Sequence, residues 1–173
     1  MSRRGTVAGG RGQALVEFAL IAPVLLVLVM GLLDFGQAYQ VRITITNAAR
    51  EGARLAARGN IFSDAQILQV VRDQSRGVDI AAHGTVLLTT ARSDPSSGIS
   101  FTTDRLIGAA GSRLDAAKLT ELEQSLTASE PDYLRNEEFV VLEIVYDHPL
   151  TTGFFGTHLP MYAYTVMQVS APS

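Results

Sequence analysis

The sequence predicts an α+β fold in which one long N-terminal helix packs on a small antiparallel β-sheet with one or two short helices. Two observations carry this prediction. An apolar run from Ala14 to Leu33 continues into an amphipathic pattern that lasts until Arg58, which predicts one helix of about 68 Å at the usual helical rise. The segment Glu138 to Asp147 is rich in β-branched and aromatic residues and predicts a central strand.

The apolar run is a candidate membrane span. Its length corresponds to about 30 Å of helix, the thickness of the hydrocarbon core of a bilayer, and Glu17 is its single charge. Arginines but no acidic residue precede the run, so the positive-inside rule predicts a cytoplasmic N-terminus and an external C-terminus. Residues 1–12 are therefore interpreted as a cationic leader, 13–59 as a transmembrane and amphipathic helix, and 60–173 as an extracytoplasmic α+β domain. The expected location is the cytoplasmic (inner) membrane, crossed once.

Composition excludes several classes of function. The chain has 173 residues and no cysteine, so neither a disulfide framework nor a cysteine nucleophile is available. Eleven of the fourteen basic residues and all seventeen acidic ones follow the leader, which gives that part a net charge of about −6. An acidic domain is poorly suited to nucleic acid, because phosphates attract basic surfaces.

Three kinds of processing compete for the leader. A Sec-type signal peptide could end at residues 36–38, but the apolar core before that point is too long and contains Glu17. A twin-arginine signal could start at residues 2–4, but Gly5 and Thr6 stand where apolar residues are expected. The third kind is a leader that ends in glycine, here Gly12, with a glutamate as the fifth residue after it.

This third pattern resembles the cleavage site of type IV prepilins, with Gly12 before the cut and Glu17 and Phe18 near the start of the mature helix. More specifically, residues 12–59 resemble the TadE family of pseudopilins from tight-adherence (Flp) pilus systems. The segments that carry this resemblance are VEFALIAP at 16–23, DFG at 34–36 and NAAREGAR at 47–54. Beyond residue 59 the resemblance is limited to a β-rich stretch such as Val140 to Asp147.

The resemblance implies a pilin-like fold and a place in pilus assembly. A prepilin peptidase would cut between Gly12 and Gln13, and Glu17, Phe18 and Pro23 would lie in a helix that packs against other pilins. The expected partners are this peptidase, other pilin-like subunits, the proteins of the pilus assembly platform and the membrane, and no cofactor, metal or nucleic acid is expected. Pro23 removes one intrahelical hydrogen bond and is expected to kink the span.

Capping residues delimit the first two helices. Gly59 is expected to end the long helix, because glycine favours the backbone conformation that closes a helix. Ser63 followed by Gln66 forms a capping box that begins a second helix, which Gly77 ends.

The rest of the predicted domain consists of strands and one more helix. Residues 85–91 predict a strand, whereas 99–103 support a short strand at best. A third helix is expected from Ser112 to a point before Pro131, and 161–169 predict the last strand.

Two surface patterns are candidate contacts. Arg50, Arg54 and Arg58 recur every four residues and therefore share one helix face. They form either a contact stripe for acidic partners or lipid headgroups, or a solvated face near a helix C-terminus. Phe154 and Phe155, in the loop before the last strand, either pack in the core or contact another subunit.

No pattern of catalysis or metal binding emerges. His83, His148 and His158 lack the short spacings of common metal ligands. Asp147 and His148 could meet a serine in space, but the chain has no G-x-S-x-G elbow and no phosphate-binding loop. The protein is therefore not expected to be an enzyme.

Three hypotheses of function remain. The first is a minor pseudopilin or assembly factor of a tight-adherence pilus, which a prepilin peptidase processes and which either stays in the membrane or joins the fibre. The alternative is a single-pass membrane-anchored binding module that keeps its leader. The third, an exported enzyme, has no site to support it.

Overall fold

The computed structural model describes residues 9–59, 61–94, 98–114, 117–118, 121, 124 and 138–169. The elements are α1 (Gly9–Ala56), α2 (Asp64–Gln74), α3 (Ile80–His83), β1 (Gly84–Asp94), β2 (Gly98–Ile107), β3 (Glu138–Pro149) and β4 (His158–Gln168). The four strands form one antiparallel sheet in the order β2-β1-β3-β4. The predicted α+β fold, a long helix with a small antiparallel sheet and short helices, is confirmed.

Helix α1 is continuous through Pro23. It begins at Gly9, five residues before the predicted start at Ala14, and ends at Ala56 rather than Arg58. Gly59 follows with φ 71°, the left-handed conformation that the sequence predicts for the residue closing this helix.

The C-terminal half of α1 packs on the sheet through small side chains, which allow its backbone to lie close to the strands. The buried residues of this half include Ala38, Ile45, Ala48, Ala49, Gly52, Ala53 and Ala56. They share a core with Leu142 and Ile144 of β3 and with Ile67 and Val71 of α2. We call the sheet, α2 and α3 the head.

Gly52 provides a direct test of this close packing. A Cβ at Gly52 would stand 2.7 Å from Leu142 Cδ1 and 2.7 Å from Val71 Cγ2, and both neighbouring side chains are fully buried. Gly52→Val is therefore expected to lower the free energy of unfolding by about 1–3 kcal/mol through overpacking. The matched control is Gly36→Val in the same helix, because no atom lies within 4 Å of a Cβ there. Equal thermal unfolding midpoints of the two variants in detergent would contradict the packing described.

Helix α2 begins as predicted and ends earlier. Ser63 is the N-cap: its hydroxyl accepts from the Gln66 amide, while the Gln66 side chain accepts from the Ser63 amide at 2.9 Å. The helix ends at Gln74 and is capped by Ser75, so Gly77 lies in the turn beyond it, with φ 86°. The four-residue helix α3 escaped prediction because one turn carries no measurable periodicity.

The strands confirm the central position of β3, which pairs with β1 on one side and β4 on the other. Strand β2 runs from Gly98 to Ile107 and is longer than the short strand expected over 99–103. Its sequence favours a strand only weakly, but it pairs with β1 from Gly98 to Ile107, which satisfies the backbone groups on that side of the strand.

Most of the predicted third helix lies outside the described residues, although residues 117, 118, 121 and 124 are helical. Ser112 does not begin this helix, since the two residues after it are not helical. Its hydroxyl instead donates to Glu143 of β3.

Candidate functional site

The N-terminal half of α1 projects from the head with its apolar side chains exposed. Within the described residues, α1 is the helix long and apolar enough to cross a membrane, and only 6% of its most apolar 18-residue window is buried. A helix of a soluble core would be mostly covered by its own protein, whereas this one is not. The large exposed side chains of this half are Leu15, Val16, Phe18, Leu20, Ile21, Val24, Leu25, Leu26, Leu28, Val29, Leu32 and Leu33.

The predicted processing residues lie near the start of this exposed half. Gly12 lies within α1 and is exposed, and apart from its own helix backbone and chain neighbours no atom stands within 4 Å of the position that a Cβ there would occupy. The side-chain amide of the next residue, Gln13, donates at 3.1 Å to Oε1 of Glu17, which lies one turn further along the helix. Phe18 is 65% exposed and Pro23 is also exposed, so both are available to a neighbouring helix or to lipid.

The arginine row lies on the exposed side of α1 beside the head, since Arg50, Arg54 and Arg58 are all exposed. Arg54 Nε donates to Glu51 Oε2 at 3.0 Å, and a second nitrogen of the same guanidinium contacts Glu51 Oε1. One of the three cations is therefore partly neutralised within its own helix, which weakens the row as a purely cationic stripe.

Asp34, the first residue after the predicted span, joins α1 to the loop between β3 and β4. It is 1% exposed, and its Oδ1 accepts hydrogen bonds from the backbone amides of Thr151 and Thr152, each at 3.1 Å. Its Oδ2 accepts from the Thr152 hydroxyl, and the Thr151 hydroxyl donates to Gln37 Oε1 at 2.7 Å. One carboxylate thus fixes the loop to the helix at the boundary between the exposed and packed halves of α1.

The same loop brings Phe154 and Phe155 to the helix. They are 59% and 51% exposed, so packing in the core, one of the two alternatives, is wrong. The Phe155 ring lies against Gly31, and its centroid is 5.7 Å from that of Phe35. The other alternative, a contact with another subunit, stays a prediction.

The histidines do not form a catalytic arrangement with Asp147. Asp147 Oδ2 lies 3.3 Å from His158 Nδ1, whereas His148, its neighbour in sequence, is buried. Neither ring nitrogen of His148 has a hydrogen-bond partner among the described residues, and burial lowers the pKa of His148, which favours a neutral ring. In the part of the chain that the structure describes, no group of three or more His, Cys, Asp or Glu residues could hold a metal.

Glu143, on the other face of the sheet from α1, is the most buried carboxylate described. It is 0% exposed and accepts from the Ser112 hydroxyl at 2.6 Å, the Arg113 amide at 3.1 Å and the Tyr162 hydroxyl at 2.8 Å. Burial and this hydrogen bond both raise the pKa of Tyr162, so its hydroxyl remains a donor. The carboxylate therefore holds the segment after β2 against the sheet.

Sequence reasoning did not identify Asp34 or Glu143 as site residues. Asp34 belongs to the DFG segment that carries the resemblance, and it follows the apolar run directly. A charge at that point in the sequence could have marked Asp34 as a candidate site residue. Glu143 is an isolated charge in an otherwise apolar strand, which is a second usable signal.

Comparison with known proteins gives one match. The model of the family described as TadE-like protein matches residues 12–54, which comprise the exposed half of α1 and most of its packed half. Neither the curated proteins nor the solved structures include a match to the chain. The matched segment contains Gly12, Glu17, Asp34 and two of the three arginines, Arg50 and Arg54. The predicted resemblance is thereby confirmed over residues 12–54, where the chain is similar to the TadE-like family.

Proposed function

We propose that the protein is a minor pseudopilin or assembly factor of a tight-adherence (Flp) pilus. One observation carries the proposal: the segment that matches the TadE-like family is a single helix whose first half is apolar and exposed and whose second half supports a folded head. Such a helix buries its apolar half in lipid or against similar helices. Its chemistry is that of a structural subunit, and its own peptide bond is the substrate of a separate prepilin peptidase.

The proposed organisation has three parts. Residues 1–12 are a leader that the peptidase removes, 13–59 anchor the protein and pack with other pilin-like subunits and the assembly platform, and 60–173 form the extracytoplasmic head. Pairing of Glu51 with Arg54 leaves the charges of Arg50 and Arg58 free of a salt bridge in the described residues, so these two dominate the proposed partner contact.

Topology tests the membrane part of this proposal. A reporter fused after Ser173 should be active only in a form that works outside the cytoplasm, because the basic leader is retained inside and the acidic head is exported. The matched control is a fusion after Gly10, which should report the cytoplasm. Cytoplasmic activity of the C-terminal fusion would refute the proposed orientation.

The alternative is a membrane-anchored binding module that keeps residues 1–12 and never contacts a pilus. It is consistent with the exposed half of α1 but gives no role to the exposed Gly12 and the carboxylate five residues later. N-terminal sequencing of the membrane-extracted protein distinguishes the two functions.

A further inference from the structure

We propose that the tip of the β3–β4 hairpin, residues 150–157, inserts into the leaflet on the far side of the membrane from the cytoplasm and serves as a second membrane anchor. The proposal rests on the proposed membrane span and adds a second surface in contact with lipid. We call residues 150–157 the hairpin tip.

The position of the hairpin tip follows from its contacts with α1. Phe155 lies against Gly31, which is two residues inside the predicted end of the span at Leu33, and beside Phe35, two residues beyond that end. Two residues of helix correspond to about 3 Å. The Phe155 ring therefore lies within about 3 Å of the outer edge of the hydrocarbon layer, whichever neighbour is used to measure it.

The composition of the hairpin tip suits this depth. The segment LTTGFFGT contains no charged residue, and its two phenylalanine rings are more than half exposed. The adjoining strand ends carry Asp147 and His158, whose side chains pair at 3.3 Å. The tip itself is uncharged, and the first ionisable side chains lie in the strands on either side of it. This is the distribution expected where a segment crosses from lipid into water.

Part of the backbone of the hairpin tip is hydrogen-bonded within the protein, which suits a poorly hydrated environment. Asp34 Oδ1 accepts from the amides of Thr151 and Thr152, and the amide of Leu150 donates to the carbonyl of Thr157 at 3.0 Å. A segment that enters a bilayer must satisfy its polar groups internally, because no water is available there. Asp34 therefore holds the hairpin tip against α1.

A groove beneath Phe155 suits lipid as the occupant. Its volume is about 550 Å³, and its lining includes Val27, Leu28, Gly31 and Leu32 of the span. These four residues are apolar, and the groove lies along the face of α1 that the hydrocarbon layer would surround. An acyl chain of the outer leaflet can fill it without leaving a polar group unpaired.

Tryptophan fluorescence tests the proposal, because the chain has no tryptophan and any introduced one is the sole reporter of its kind. Three full-length variants are needed in phosphatidylcholine vesicles.

The tip variant is Phe154→Trp, the span variant is Leu25→Trp, and the head variant is Ile61→Trp, beyond the opposite end of α1. All three positions are at least half exposed, so each substitution leaves the core intact. Lipids brominated near the headgroup or deep in the acyl chain quench tryptophan by contact.

The tip variant should lose emission with the shallow quencher and emit at shorter wavelength than the head variant, which should not be quenched. The span variant should be quenched by the deep bromines. These results together would support a second anchor at the outer leaflet.

Three other outcomes would overturn the proposal. An unquenched tip variant beside a quenched span variant would exclude the hairpin anchor and leave the span standing. A tip variant that shifts to shorter wavelength without quenching would also exclude it, since a second protein copy rather than lipid would then cover the tip. An unquenched span variant would exclude the span itself, and the hairpin anchor with it.

Discussion

Glu17→Ala is expected to insert into the membrane normally and to fail to join the pilus machinery. A carboxylate at the centre of a membrane helix costs about 2.5–3.5 kcal/mol, and less near an interface, so a glutamate one turn into the span requires a polar partner. Within the described residues its hydrogen-bond partner is the side-chain amide of Gln13 at 3.1 Å, which is neutral. Cleavage after Gly12 would create an α-amino group on Gln13, and Glu17 could then pair with this cation on a neighbouring subunit.

The competing explanation is local: Glu17 lies at the level of the headgroups and complements the N-terminal end of the helix dipole. The two explanations differ in what Glu17→Gln does. The glutamine keeps the size and the hydrogen-bonding capacity but not the charge, so loss of assembly in Glu17→Gln as well as Glu17→Ala supports pairing with an amine. Co-purification with other pilus components and counts of pili are the measurements. A Glu17→Ala variant that assembles like the parent would leave Glu17 only the local role.

The same co-purification assay tests the arginine row. Replacing Arg50, Arg54 and Arg58 together by alanine should weaken association with pilus components and leave membrane insertion intact. Unchanged association would support the interpretation of the row as a solvated face.

Glu143→Ala is expected to lower the free energy of unfolding of the head by about 2–5 kcal/mol, because it removes a fully buried carboxylate that accepts three hydrogen bonds. The hydroxyls of Ser112 and Tyr162 and the amide of Arg113 all donate to this carboxylate, and a hydrogen bond to a charged group contributes about 1.5–3 kcal/mol. Since most small domains are stable by only about 5–15 kcal/mol, such a loss would lower the abundance of the protein in cells.

The matched control for this prediction is Glu138→Ala in the same strand. Glu138 pairs with Arg92 at 3.1 Å, but the side chains are 33% and 69% exposed, so the pair is worth about 0–1 kcal/mol. Chemical denaturation of the two variants in detergent measures the difference. Similar midpoints for both would show that Glu143 is not the acceptor that holds the segment after β2 to the sheet.

The parts of the fold that depend on neighbouring residues were predictable from the sequence. The apolar run, the capping box of Ser63 and Gln66 and the β-rich segment from Glu138 all express a local preference that short-range periodicity records. The end of α1 was predicted to within two residues for the same reason, because Gly59 closes it.

The parts that depend on distant residues were not predictable. Asp34 and Thr152 are 118 positions apart, and nothing near either residue indicates the other. Strand β2 owes its length to its pairing with β1, which its own composition does not specify. The aromatic pair at 154 and 155 is ambiguous in sequence, since exposed and core phenylalanines look alike until a partner such as Gly31 is placed beside them.

The central proposal is that this chain, which is similar to the TadE-like family over residues 12–54, is a substrate of a prepilin peptidase, and the intact mass of the protein tests it most directly. The protein should be extracted from the membranes of cells with an active prepilin peptidase and, in parallel, from cells that lack the enzyme. With the peptidase, the mass should correspond to loss of residues 1–12 and a chain that begins at Gln13; without it, the mass should be that of the full chain. A full-length N-terminus in cells whose peptidase is active would contradict the account.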